Sequence, residues 1–249
     1  MIKLANNKVA PLTPACLICQ ESLPDTLTLR QVLSWSKIDQ PLFCQSCLEG
    51  FCKIQGPTCG QCGREMAEED QEHWSDGVCR DCQRWRHFHQ WTFRHQASYH
   101  YNESFKQWLV VLKGQGDIRG RFLFKRDLQS VYRKHSDAVW VPMPSSSSKL
   151  TNKGFNQTAL LLDAANIPYV DMLEMKPTTT KQVYKSRLDR LKDRDKIQVK
   201  ADSGVELMDK QKNILLFDDV YTTGTTMFSA YKALRNEGFS HIGGFSLAR

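Results

Sequence analysis

The chain has 249 residues, 24% of them charged, and a formal net charge of +7. That length suits one α/β domain plus a small metal-stapled module. No apolar run approaches the roughly 20 residues a membrane-spanning helix needs, so a spanning segment is excluded and a cytosolic location is expected; the longest apolar runs are Trp108–Leu112 and Ile214–Phe217. The charge is uneven. Residues 1–95 hold 10 Lys/Arg against 11 Asp/Glu, whereas residues 96–249 hold 24 against 16, a balance of +8.

All nine cysteines fall between Cys16 and Cys82, and eight form Cys-x-x-Cys pairs: Cys16/Cys19, Cys44/Cys47, Cys59/Cys62 and Cys79/Cys82. Each pair can bite one metal ion from a tight turn, and two pairs complete a tetrahedral thiolate site of the zinc-ribbon kind, closed and structural. Pairing neighbours in order gives one site from the first two pairs and one from the last two; spacing alone leaves an interleaved arrangement open. A secreted disulfide framework would need an apolar leader, and 1–15 does not supply one. A single redox Cys-x-x-Cys does not explain four in succession. Cys52 is left over and reads as a small buried apolar residue.

Residues Arg84 to Tyr101 alternate aromatics with cationic or imidazole side chains, which favours a strand. Trp85 and Trp91 here suit either stacking on the bases of a single strand or pinning the cysteine module onto the larger domain. Residues 1–83 therefore read as a double zinc-ribbon module, 84–98 as an aromatic and basic connector, and 99–249 as the main domain. Within Lys106–Lys134 eight Lys/Arg face only Asp117 and Asp127. Lys125, Arg126, Arg133 and Lys134 in that stretch suit a polyanion, or a solvated helix face.

From Tyr99 onward helices and strands alternate. Helices are expected over Tyr101–Lys113, from Asp117 to about Lys134, over Phe155–Ala165 and over Thr225–Asn236. Strands are expected at Ala138–Val141, Tyr169–Leu173, Ile197–Val199, Ile214–Phe217 and His241–Leu247. This order indicates a parallel sheet covered on both faces, with ligands at the carboxyl ends of the strands. Two turns then matter. After Phe217 come Asp218, Asp219, Val220, Tyr221, Thr222, Thr223, Gly224, Thr225 and Thr226, followed by a helix. Hydroxyls, backbone amides, a permissive glycine and a helix N-terminus make a phosphate cradle. A bland alternative is a connection whose threonines only cap the helix. After Val141 come Pro142, Met143, Pro144 and Ser145, a polar stretch, then Lys153-Gly154-Phe155-Asn156-Gln157.

The first turn resembles the phosphoribosyl-pyrophosphate (PRPP) loop of type I phosphoribosyltransferases. The resemblance implies that Asp218 and Asp219 hold the ribose hydroxyls and that Thr222 to Thr226 wrap the 5′-phosphate. It further implies Mg²⁺ with the pyrophosphate, and pyrophosphate contacts from the loop Pro142–Ser148, among them Pro142, Met143, Pro144 and Ser145, with positive charge from Lys149, Lys153 or Arg190. The second turn, Lys113-Gly114-x-Gly116-Asp117 and Lys181–Arg190 narrow the resemblance to the ComF family, in which zinc ribbons precede a phosphoribosyltransferase-like domain. Departures are visible: Asn152 and Lys153 stand where the family usually has two arginines, and lysine lacks the bidentate fork. Asp193 stands where asparagine is frequent.

Three functions follow from different classes. One is a competence protein of DNA uptake that binds PRPP and single-stranded DNA, with a ComFA-type helicase-like ATPase as partner by resemblance, peripheral to the membrane machinery. Another is a phosphoribosyltransferase of nucleotide or cofactor salvage. The third is a regulator that senses PRPP without turnover. No acceptor pocket is legible in the sequence, so catalytic residues are not assigned.

Overall fold

The structure, a computed structural model, describes residues 14–23, 41–67, 72–89, 93–145, 155–176 and 196–249. Four parallel strands form the main sheet in the order β1-β6-β5-β2: β1 (Arg94–Tyr99), β2 (Val139–Pro142), β5 (Ile214–Val220) and β6 (Ile242–Ala248). Tyr169 adds a parallel bridge beyond β2 at Trp140. Two short strands, β3 (Leu173–Met175) and β4 (Ile197–Val199), pair antiparallel. The α/β fold with a parallel sheet expected from the sequence is present.

β5 runs through the middle and is buried on both faces. Ile214 and Leu216 point into one apolar cluster, Leu215 and Phe217 into another. A strand with this burden needs consecutive apolar residues rather than alternation. On one face lies the last helix, α6 (Thr225–Asn236), through Met227, Ala230 and Leu234. On the other lie α3 (Glu103–Leu109), α4 (Lys125–Lys134) and α5 (Gln157–Ala164), through Phe105 and Trp108, Leu128, and Leu161 and Leu162. Asn102 caps α3 by accepting from the Phe105 amide. α3 then loosens into a π-turn, Val110–Gly114. Asp117 accepts from the Arg119 amide at the head of a 3₁₀ turn, Ile118–Phe122.

Several sequence expectations need correction. The helix expected to run unbroken from Asp117 is the 3₁₀ turn plus α4. The alternation from Arg84 to Tyr101 is not one strand: its first part completes a helix, α2 (Arg80–His89), and only Arg94–Tyr99 is strand. Cys52 is exposed, not buried. Residues 52–54 run extended beside the end of β1, with Lys53 bridged to Tyr99, and alternation sends Phe51 inward and Cys52 out. Phe51 meets the rings of Tyr99, Phe105 and Phe124 at 5.3–6.5 Å between centroids.

Trp108 is fully buried, and its indole N–H donates to the Gly120 carbonyl at 2.9 Å. Truncating it leaves a cavity and an orphaned carbonyl. Trp108→Ala should cost about 3–5 kcal/mol of unfolding free energy, measured by urea denaturation, whereas exposed Arg133→Ala should change it by under about 0.5 kcal/mol.

Candidate functional site

Two sets of four cysteines converge, Cys16/Cys19/Cys44/Cys47 and Cys59/Cys62/Cys79/Cys82, with all sulfurs of each set within 4.8 Å of one another. This is the in-order pairing. Zinc–sulfur bonds of ~2.3 Å in a tetrahedron put sulfurs about 3.8 Å apart; Cys19–Cys44 and Cys62–Cys79 each lie at 3.6 Å. Both sets therefore fit one tetrahedral ion. The donor chemistry agrees: in the second set, hydrogen bonds from Cys62, Cys79 and Cys82 favour the Cys59 thiolate, while those from Cys59 push Cys82 far up. Four thiols this close cannot all ionise without a cation between them.

The two sets differ in setting. The first mixes one buried, two half-buried and one exposed cysteine, while all four of the second are buried. The second belongs to the same apolar cluster as Leu216 of β5 and Met227 of α6. Its turn is docked on β1. Gly63 has φ +70°, and a Cβ there would press on the backbone of His95 to Ala97; the His95 amide donates to the Gln61 carbonyl at 2.9 Å. The His95 ring is fully buried. Its Nδ1 donates to the Cys62 carbonyl at 3.0 Å, and its Nε2 lies 3.0 Å from the Ser246 hydroxyl on β6. Burial lowers its pKa to about 3, so the imidazole is neutral and a connector rather than a charge.

The carboxyl end of β5 carries Asp218, Asp219 and Val220 directly into the turn. Thr222, Thr223 and Thr226 are exposed, Thr225 is half-buried and Gly224 is buried. Gly224 sits at φ +80°, a conformation in which glycine is unstrained, and caps α6 without a side chain. The first-turn amides of α6 thus meet no capping oxygen from Gly224, and the Thr223 and Thr225 hydroxyls lie 3.0 Å apart. The residues fit a phosphate. Asp219 is buried, and its carboxylate pairs with Lys113 at 2.5 Å. Lys113 reaches it from the π-turn, an irregularity that helices frequently carry at functional sites.

Of the residues expected to face pyrophosphate, Pro142 ends β2, and Met143, Pro144 and Ser145 follow it at the carboxyl edge of the sheet, beside β5. Met143 donates its amide to Phe217 at 2.8 Å. Its carbonyl accepts from the Thr158 hydroxyl at 2.7 Å and the Asn156 amide at 3.1 Å, and Ser145 hydrogen-bonds Asn156. Asn156 also caps α5. Asn156, from the Lys-Gly-Phe-Asn-Gln motif, is thus the brace of this loop. Ser146 to Lys149, Lys153 and Arg190 lie outside the described residues.

The nucleic-acid candidates are not brought together. Trp85 is half-buried against the α6 face, its ring 5.6 Å from Phe228. Lys125, Arg126, Arg133 and Lys134 belong to α4, on the opposite face of the sheet. Trp91 lies outside the described residues. Sequence reading missed the partnership of Lys113 with Asp219, though the Lys113-Gly114-x-Gly116-Asp117 pattern pointed to it. It also missed Arg64 and Arg249, which carry no local signal.

These features define a class: a parallel α/β domain with a hydroxyl-rich strand–turn–helix at its carboxyl edge, stapled to two four-cysteine clusters. No family model matches the chain. It is 31% identical over 235 residues to competence protein ComFC of Streptococcus pneumoniae (strain ATCC BAA-255 / R6), covering 94% of this chain and 99% of that protein. It is also 31% identical over 241 residues to ComFC of Bacillus subtilis (strain 168), covering 94% of each. The chain belongs to the ComFC family. Among solved structures it is similar to a Staphylococcus aureus hypoxanthine phosphoribosyltransferase (13% identity, 53% of this chain, 65% of that one, TM-score 0.33) and to the allosteric regulatory enzyme of purine biosynthesis (21%, 48% and 24%, TM-score 0.31).

The settings of the two clusters separate their expected behaviour. Protein kept reduced should hold two zinc ions per chain by elemental analysis, and Cys44→Ser and Cys79→Ser should each lose one. Cys79→Ser should also lower the melting temperature well below that of Cys44→Ser, because its sulfur sits in the core shared with the sheet. Equal melting temperatures would contradict that core assignment.

Proposed function

We propose that this chain is a competence protein of DNA uptake that binds PRPP with Mg²⁺ at the turn after β5 and handles single-stranded DNA. Membership of the ComFC family supports the competence role. The observation that carries the PRPP reading is the conjunction of paired aspartates, exposed threonines and Gly224 at φ +80°, all at the carboxyl end of a central parallel strand. In this reading Asp218 and Asp219 accept hydrogen bonds from ribose hydroxyls. Thr222 to Thr226 and the α6 amides take the 5′-phosphate, and the Pro142–Ser145 loop faces the pyrophosphate. Mg²⁺ would neutralise pyrophosphate charge when bound. Lys113 holds Asp219 oriented and compensates its burial while the sugar is absent. Zinc is the ion that suits both four-thiolate sets, in a structural role.

The single-strand reading rests on the cationic excess of residues 96–249 and on the Arg84–Tyr101 aromatics. A helicase-like ATPase of the ComFA type is the proposed partner, beside the membrane uptake machinery. Turnover as a phosphoribosyltransferase, and PRPP sensing without turnover, are separated by one assay: pyrophosphate release from PRPP, Mg²⁺ and a panel of bases.

PRPP with Mg²⁺ should stabilise the protein by about 2.7 kcal/mol at a hundredfold excess over Kd, read as a thermal shift. The double change Asp218→Ala, Asp219→Ala should abolish the shift. Gly224→Val should abolish it too, because a side chain there is strained and would collide with the Tyr221 hydroxyl. Persistence of the shift in both variants would defeat the assignment. Deletion of the gene should lower transformation frequency without causing purine or pyrimidine auxotrophy; auxotrophy would favour the salvage reading.

Binding of oligothymidylate should weaken steeply with salt, with a log–log slope of about −0.7 for each phosphate neutralised. A salt-independent affinity measured by fluorescence anisotropy would remove the electrostatic basis of the single-strand reading.

A further inference from the structure

Next to the paired aspartates, and sharing Thr222 and Thr223 with the turn after β5, lies a cleft with two lobes of about 330 and 350 Å³. Each lobe lies within the range of small-ligand sites. They share a floor of Arg64, Tyr221, Thr222 and Arg249. The first lobe is walled by Tyr101, a residue 46% exposed, and the second by Trp85 and Arg84. The second cysteine cluster forms a side wall through Cys62 and Cys82.

The floor is preorganised. Arg249 lies over the Tyr221 ring at 4.7 Å, and Tyr221 in turn stacks on His95 at 4.2 Å. His95 is held by the Cys62 carbonyl and faces Ser246. Arg249 donates one Nη1 bond to the Thr222 carbonyl at 3.2 Å. Its Nε is buried with no hydrogen-bond partner, alone among buried side-chain nitrogens and oxygens of the described residues. A buried guanidinium N–H without an acceptor leaves a place that an anionic oxygen would fill. The carboxylates that line the cleft are already engaged. Asp81 pairs with Arg64 at 2.8 Å; Glu65 accepts from the Gln55 and Gly56 amides and pairs with His100 at 2.5 Å. Arg64 is therefore engaged too, by Asp81 and by the nearby Cys62 and Cys79 sulfurs, and the unsatisfied group of the cleft is the Arg249 Nε.

We propose that this cleft binds one dinucleotide step of a single DNA strand. The phosphodiester sits on Arg249 and Arg64, one flanking base lies against Tyr101, and the other against Trp85. Two aromatic walls on either side of a floor that holds Arg249 reproduce the order of chemistry along a strand, ring–anion–ring; an isolated phosphate or a base alone would leave one lobe unused. Aromatic walls with backbone-neutralising arginines are the general means of holding single strands without sequence choice. The inference rests on the single-strand part of the proposed function and moves its surface away from α4.

The test uses the full-length, zinc-loaded protein and fluorescence anisotropy with labelled oligothymidylate. Tyr101→Ala should weaken binding about fivefold or more, the lower end of the loss of one base stack. Arg249→Gln should weaken it about tenfold or more and make the salt slope shallower by about 0.7. Arg133→Gln with Lys134→Gln, on the other face, should leave affinity within about twofold. Free thymidine monophosphate should compete only weakly, since it fills one lobe. Arg249 also neighbours the Cys62 turn, so zinc content is measured in each variant; Tyr101, being exposed, tests the cleft without that complication. Full affinity in both cleft variants, or losses confined to the α4 pair, would overturn the proposal while leaving the single-strand reading intact. No binding of oligothymidylate at low salt would overturn both. Competition by the mononucleotide as strong as by the strand would replace the dinucleotide step with a free-nucleotide site, and so overturn the proposal.

Discussion

β5 has to bury both of its faces and still deliver a polar loop at its carboxyl end. Ile214 and Leu216 pack under α6, and Leu215 and Phe217 pack against α3, α4 and α5. Such a strand cannot alternate polar and apolar residues, and its neighbours β2 and β6 must match its register on each side. Once that sandwich closes, Asp218 to Thr226 are presented at the open edge, between the Pro142–Ser145 loop on one side and the end of β6 on the other. The Asp218–Thr226 turn and the Pro142–Ser145 loop take their positions from this strand.

The second cysteine cluster is tied to the same sheet. A ribbon knuckle is usually a self-contained unit whose folding energy comes from the metal. Here the Cys62 carbonyl of the knuckle accepts from Nδ1 of a buried, neutral His95, whose other nitrogen faces Ser246 on β6. Gly63 allows the knuckle to press directly on the β1 backbone. A metal ion held at this cluster would therefore support the floor on which Tyr221 and Arg249 lie. The first cluster is more exposed, and Ile18 and Phe43 beside its cysteines pack, with Phe51, against the core on the α3–α5 face of the sheet.

Charge is handled pair by pair at the open edge. Asp219 is buried with Lys113, Glu65 is held by two amides and His100, and Asp81 is held by Arg64. A buried carboxylate without such a partner would carry a desolvation penalty of several kcal/mol. Pairing leaves the cleft rich in guanidinium groups and the β5 turn rich in hydroxyls.

The cysteine spacing, the apolar run of Ile214–Phe217 and the Asp218–Thr226 turn were legible in the sequence, and α6 matches its expected bounds from Thr225 to Asn236. These are local signals: each is set by periodicity, by turn chemistry, or by two ligands bitten from one turn. What the sequence could not decide depends on which distant segments touch. Alternation along Arg84–Tyr101 looked like a strand because spacing cannot show that Arg80–His89 begins at a metal knuckle and packs Trp85 against α6. Cys52 looked buried by residue type, yet pairing of Lys53 with Tyr99 turns its side chain outward. Lys113 and Asp219 lie over a hundred residues apart in sequence, and Arg64 and Arg249 further still; no pattern along the chain can bring them together. The chain by itself determined the cysteine pairs and the strand–turn–helix at Asp218–Thr226, because short-range geometry governs both. Only the tertiary structure decided what surrounds them, because burial and ion pairing are properties of the packed sheet rather than of any stretch of it.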